Sequence, residues 1–275
     1  MRVKRVILTA LLAVMPVTGM AAGAGIELLE AKPDLSDKAS LQRGARLFVN
    51  YCVSCHSASF MRYNRMGRDL GLSDEQVANN LLFAGDKVVD KMDVAMSREQ
   101  AATWFGVPPP DLSVIARARG ADWLYSYLVT FYRDDNPARP FGVNNVVFKD
   151  VAMPHVLWPE QGVQEYVKGE RPDGVESAQV HALEPSGEDL ILHTTLTLKD
   201  GSHVETMDRL KLAQAGAMEP GQYRKAARDL VNFLVYLGEP AQLVRYNIGL
   251  WVLVFLSVLF VLSYGLYKEY WKDVH

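Results

Sequence analysis

Both cysteines of this 275-residue chain fall inside five consecutive positions, Cys52-Val53-Ser54-Cys55-His56. No other feature limits the fold as tightly. Two thiols separated by two residues reach the two vinyl groups on one edge of a haem, and the adjacent imidazole then lies beneath the iron. C-x-x-C-H is the attachment sequence of c-type haem. A zinc site would need further Cys or His ligands at close spacing, and none is nearby. A thioredoxin-like dithiol normally follows a strand in a βαβ unit. Here Leu41, Gly44, Ala45, Phe48 and Val49 recur at helical spacing, so a helix runs into the motif. The expectation is one covalently bound haem c, held by Cys52 and Cys55, with His56 as an axial iron ligand.

A haem held by one His needs a sixth ligand or an open position. A thioether raises the potential and suits electron transfer; an open position suits ligand chemistry. Seven methionines follow the N-terminal apolar segment: Met61, Met66, Met92, Met96, Met153, Met207 and Met218. Most methionines fill cores. Met61 and Met66 lie close to the attached cysteines, on the proximal side of the ring. Met92 and Met96 sit in a charged stretch that reads as helix. Met153 lies in Val151-Ala152-Met153-Pro154-His155, where helical periodicity is absent and Pro154 holds the preceding residue extended. Such a loop lays a thioether against a haem face, which makes Met153 the preferred metal ligand. His155 is its rival and Met218 the next methionine in line.

The two ends of the chain set its compartment. Residues 1–24 carry Arg2, Lys4 and Arg5, then an apolar run from Val6 to Val17, then small residues. That is the layout of a secretory signal peptide, too short to span a bilayer comfortably. Ile248 to Tyr267 holds no charged residue, and a helix of about 20 residues matches the hydrocarbon thickness. Tyr246, Trp251, Tyr264, Tyr267, Tyr270 and Trp271 form an interfacial belt at its ends. The reading is a periplasmic domain over 25–245, one transmembrane helix over 246–267 and a cytoplasmic tail over 268–275, in an inner (cytoplasmic) membrane. With 49% hydrophobic and 22% charged residues the chain is no disordered polymer. A net charge of −3 leaves no positive excess to track a nucleic acid.

The chain resembles cytochrome c1, the haem subunit family of the ubiquinol–cytochrome c reductase (cytochrome bc1) complex of the respiratory chain. The resemblance is carried, in order, by the helix entering Cys52–His56, by Pro109-Pro110-Asp111-Leu112-Ser113 with Ala116-Arg117-Ala118-Arg119, by Ala152-Met153-Pro154, and by Asp229-Leu230-Val231-Asn232-Phe233-Leu234 with Gly238-Glu239-Pro240 before the apolar helix. It implies that His56 and Met153 are the axial ligands, that Pro109 and Pro110 pack on the haem edge, and that Arg119, with Arg117 as competitor, pairs with a propionate. A guanidinium suits that role through bidentate bonds to a carboxylate. Trp123 stands where the family carries a Tyr near the propionates. The resemblance also implies partners: cytochrome b and a Rieske iron–sulfur protein within a dimeric complex in membrane lipid, and a periplasmic cytochrome c as electron acceptor. The chain would then be no enzyme on its own. A haem peroxidase would need an open iron position, and a membrane-spanning sensor would need a longer cytoplasmic tail.

The fold class expected is mainly α: a c-type cytochrome haem domain with a small β insertion and one C-terminal transmembrane helix. The helix entering Cys52 should pack against a helix from about Tyr223 to Leu237, with Gly44 allowing close approach. The insertion is residues 157–220. Leu190 to Leu198 alternates like a strand before the turn signal Lys199-Asp200-Gly201, with Val175 to Leu183 as its candidate partner. Twelve acidic against five basic residues there read as a solvated surface insertion, or as an acidic docking face for a basic redox partner.

Overall fold

The computed structural model describes residues 25–94 and 96–273; the expected signal peptide over 1–24 lies outside the described residues. Helix α1 (Lys38–Leu47) starts where the Asp37 carboxylate accepts the Ser40 amide. It packs along α8 (Pro220–Gly238), which opens on Pro220 and a reciprocal Glu219–Gln222 cap. Gly44 makes the crossing close. A Cβ there would lie 2.1 Å from the Asp229 carbonyl oxygen and 2.7 Å from the Phe233 Cβ. Phe48 and Phe233 pack with centroids 5.5 Å apart just beyond it.

The same crossing buries Asp229. Its carboxylate accepts from Ser40 Oγ at 2.7 Å and Arg43 Nε at 2.6 Å. Burial pushes this carboxyl up, but the Arg43 and Ser40 hydrogen bonds and the Arg43 charge outweigh it and hold it below the usual range. The expected pairing of the first and last soluble helices is therefore present, with an ionic pin as well as an apolar face.

The expectation of a mainly α fold is wrong. Of the described residues 42% are helical and 22% strand, with a six-stranded sheet. Strands β3 (Phe131–Arg133), β4 (Val143–Asn145), β5 (Gly162–Val167), β6 (Val175–Ser186), β7 (Asp189–Leu198) and β8 (His203–Ala215) pair in the order β4-β3-β5-β8-β7-β6. Strand β3 runs parallel to β5 and every other pair is antiparallel. The alternation read at 190–198 is β7, and 175–183 does pair with it inside β6. The β structure is larger than a small insertion because β3 and β4, from well before residue 157, join the same sheet.

Strand β8 escapes a reading of apolar alternation for a physical reason. Its inward positions include Asp208, which is fully buried. Arg171 Nη2 donates to both Asp208 oxygens, the Gly169 amide donates at 2.8 Å, and the Tyr166 and Thr194 hydroxyls complete the shell. A buried charge so fully bonded is tolerated, yet it breaks the apolar period that marks a half-buried strand.

Met92, expected in a helix, instead lies in the two-residue strand β2 (Lys91–Met92), wholly buried and paired with Ala58 of β1 (Ala58–Arg62). The last helix, α9 (Gln242–Tyr270), has a mean hydropathy of 2.3 across its most apolar window, none of which is covered by the rest of the chain. A buried core helix would be covered. This one is long and apolar enough to cross a membrane.

Candidate haem-binding site

Helix α1 does not end cleanly. It runs into a π-helical turn, Phe48–Cys52, closed by the Val53 amide on the Phe48 carbonyl. Such turns are rare and concentrate at functional sites. The Cys52 carbonyl then accepts from the Cys55 amide at 3.1 Å and the His56 amide at 2.8 Å, which curls the motif into one tight turn. Both thiols are free. Cys52 is buried, and burial, with the nearby Cys55, pushes its thiol up to about 12.

His56 Nδ1 lies 2.7 Å from the Pro110 carbonyl oxygen. A carbonyl can only accept, so Nδ1 carries the proton and Nε2 keeps a free lone pair, the form that binds metal. Burial also holds the imidazole below its ordinary value, against the opposing effects of Pro110 and Asp111. A carbonyl bonded to the other ring nitrogen is the arrangement that commonly orients a metal-binding histidine.

The loop that offers this carbonyl is itself fixed. Asp111 accepts from the Ser59 amide and hydroxyl and from the Ser113 amide, and the Ser113 hydroxyl accepts from the Phe60 amide. The Leu112 amide donates to the Ser57 carbonyl at 2.8 Å. Burial raises the Asp111 carboxyl, but its hydrogen bonds from Ser113 and Ser59 win and leave it below the usual range. Pro-Pro-Asp-Leu-Ser is thus laced to the segment just after His56, which gives that motif a structural reason.

Met153 lies elsewhere in the same chain path, joined not to His56 but to Tyr127. The Tyr127 hydroxyl donates to Met153 Sδ at 3.3 Å. Tyr127 belongs to α6 (Ala121–Val129), which follows α5 (Ile115–Arg119) directly, so one segment runs from the Pro110 carbonyl to the Met153 contact. The Tyr127 ring stacks on Trp123 at 5.1 Å. Arg119 lies over the Trp123 ring at 5.0 Å and the Phe148 ring at 5.9 Å, and makes no ion pair among the described residues. Arg117 instead runs beside Gly238.

His155, the rival to Met153, lies two residues on, in a different set of contacts. It stacks on Phe131 with centroids 4.8 Å apart, and its Nε2 is buried without a partner. Burial lowers its imidazole to about 4 despite nearby Gln161 and Gly162. Met61, Met66 and Met92 are core residues. Met218 packs beside Leu157 and Tyr223, and its amide bonds the Glu160 carbonyl.

These residues fit a haem. A free-thiol pair is followed by an imidazole of fixed tautomer, an arginine without an ion pair among the described residues lies on an aromatic platform, and a half-buried thioether is held in place. Phe60 and Val114, near the His56 segment, and Phe148, near the Met153 segment, are exposed apolar side chains. Sequence reading did not single out Tyr127; its spacing of four from Trp123 on one helix face was the available signal.

A family model described as the cytochrome C1 family matches residues 34–95, 84–182 and 204–274. Cytochrome c1 of Allochromatium vinosum is 45% identical over 272 residues, covering 99% of this chain and all of that protein. A Nitrosomonas europaea protein named ammonia monooxygenase gamma subunit is 42% identical over 275 residues, covering both chains entirely. The mitochondrial cytochrome c1 haem protein of Saccharomyces cerevisiae is 26% identical over 259 residues, 86% of this chain and 68% of its own length.

Proposed function

Since the chain belongs to the cytochrome c1 family, we propose that it is a membrane-anchored, mono-haem electron-transfer subunit of a ubiquinol–cytochrome c reductase. It takes one electron from the Rieske iron–sulfur protein and passes it to a periplasmic cytochrome c. It works beside cytochrome b in a dimeric complex. No bonds of a substrate are made or broken on this chain, so it is an electron carrier rather than an enzyme by itself.

The observation that carries this reading is the His56–Pro110 contact of 2.7 Å immediately after the paired cysteines. Cys52 and Cys55 would hold one haem c covalently, and His56 Nε2 and the Met153 thioether would be its iron ligands. When bound, the haem supplies a one-electron iron couple whose potential the axial ligands and burial set. The chain's own residues keep that couple from rearranging. Pro110 fixes the imidazole plane, Asp111 fixes Pro110, and Tyr127 fixes the thioether. Pro109 and Pro110 would lie along the haem edge, and Arg119, free of any carboxylate among the described residues, would meet a propionate.

Helix α9 would be the anchor, single-pass in the inner membrane. The domain over 25–245 would then sit in the periplasm after removal of residues 1–24, and the tail from Lys268 on the cytoplasmic side. The acidic 157–220 stretch is a surface on which a basic cytochrome could dock.

Purification of the full chain from membranes in mild detergent tests the assignment, with identification of what accompanies it. Cytochrome b and a Rieske protein, together with ubiquinol-dependent reduction of cytochrome c, support it. Recovery with monooxygenase subunits instead, the assembly in the name of the Nitrosomonas europaea relative, would overturn it.

A further inference from the structure

We propose that Tyr127 is a positioning residue for the sixth iron ligand: its hydroxyl selects which lone pair of the Met153 sulfur faces the iron and draws electron density from that sulfur. This rests on the reading of Met153 as a ligand. A thioether sulfur has two lone pairs and is a weak acceptor. In this chain one of them accepts the Tyr127 hydroxyl at 3.3 Å. Only the other remains for a metal, so the hydrogen bond determines the side from which the sulfur can bind.

The hydroxyl is not free to turn elsewhere. Trp123 stacks on one face of the ring with an interplanar angle of 9°. Phe131 and Phe148 meet it edge-on at 5.0 and 6.5 Å. The Tyr127 carbonyl accepts from Asn145 Nδ2 at 2.8 Å. Asn145 Oδ1 in turn accepts the Val147 and Phe148 amides, at the start of the segment that leads to Met153. The same aromatic group also holds the far side of Pro154, because Phe131, four residues after Tyr127, stacks on His155. The methionine loop is clamped at 153 and at 155 by neighbouring aromatic residues of one chain segment.

The electronic consequence has a definite sign. A donor on the sulfur weakens its donation to iron, and the electron-poor ferric state loses more than the ferrous state. Tyr127 thus raises the potential beyond what Met ligation alone provides. One ordinary hydrogen bond corresponds to about a fivefold change in an equilibrium ratio.

The test uses the full-length, haem-loaded protein in detergent. Tyr127→Phe keeps the ring and its stack on Trp123. At a solution potential equal to the wild-type midpoint, the variant should be about fivefold more oxidised, and its ferrous form should bind carbon monoxide more readily than the wild type. Tyr127→Phe with an unchanged midpoint and no added carbon monoxide binding would overturn the proposal. Met153→Leu separates that failure from failure of the ligand itself. If Met153→Leu leaves the ferric spectrum unchanged, the ligand reading is wrong and the proposal falls with it. If it changes the spectrum while Tyr127→Phe changes nothing, only the proposal falls. The wild type provides a check independent of any variant's folding: exchange into D2O should shift the iron–sulfur stretching band, and an unshifted band would count against the hydrogen bond.

Discussion

Replacing Gly44 with Ala should destabilise this protein, although alanine is the better helix former. In an exposed helix interior the change would gain about 1 kcal/mol. Here the new methyl group meets the Asp229 carbonyl oxygen at 2.1 Å, where ordinary contact begins near 3.4 Å. That obstacle is the backbone of α8 and cannot rotate away, so α1 and α8 must part by more than about 1 Å. A gap of that size forfeits a quarter to a half of each dispersion contact it opens. Here those contacts include the Phe48–Phe233 pair. It also lengthens the Ser40 and Arg43 hydrogen bonds to Asp229. Overpacking of this kind costs about 1–3 kcal/mol, and a backbone obstacle belongs at the upper end. Net of the helix gain, the loss is about 2 kcal/mol, or roughly 4–8 °C in Tm for a chain of this size. The assay is thermal unfolding of the haem-loaded chain in detergent, followed by circular dichroism. Gly221→Ala is the matched control. It lies in the first turn of α8 with nothing within 4 Å of the added Cβ, so it should gain up to about 1 kcal/mol. Equal Tm changes of the same sign in the two variants would refute the packing argument.

Three further outcomes follow from the site. Serine at both Cys52 and Cys55 should abolish haem that survives denaturing electrophoresis, since no other thiol exists in the chain; a retained haem stain would refute covalent attachment. His155, lowered to about 4 by burial, binds fewer protons folded than unfolded between about pH 6.5 and 4. Its contribution to stability is therefore full above that window and falls as pH drops through it, by on the order of 3 kcal/mol. Denaturant titrations at pH 7 and pH 4.5 should show a smaller difference in His155→Gln than in the wild type. Truncation before Ile248 should leave an exported, haem-loaded fragment in the soluble fraction, because every residue assigned to the haem precedes α9; a truncated fragment without haem would contradict that boundary.

How far a sequence reading reaches here depends on the range of the interaction that holds each residue. The attachment motif, the helix entering it, the helix at 220–238 and the apolar α9 are local patterns, written in consecutive or helically spaced residues. Cys52, Cys55 and His56 belong to that class, and so does the pairing of Leu190–Leu198 with its neighbour across a short turn. The parallel joining of β3 to β5 brings together residues about 30 positions apart, with no turn chemistry to announce it. For that reason the sequence pattern by itself points to a mainly α fold.

Within the site the division is the same. Residue type and spacing alone pointed to one covalent haem, because thiols at that separation with an adjacent imidazole serve few other ends. They also determined that it carries one helix able to cross a bilayer. The tertiary structure decided what each group is bonded to. Tautomer, stacking and hydrogen bonding depend on which distant atoms pack nearby. The Pro110 carbonyl comes to His56 from 54 residues away, and the Tyr127 hydroxyl to Met153 from 26. His155, the rival ligand in the sequence, lies stacked on the ring of Phe131, a contact that no local pattern announces.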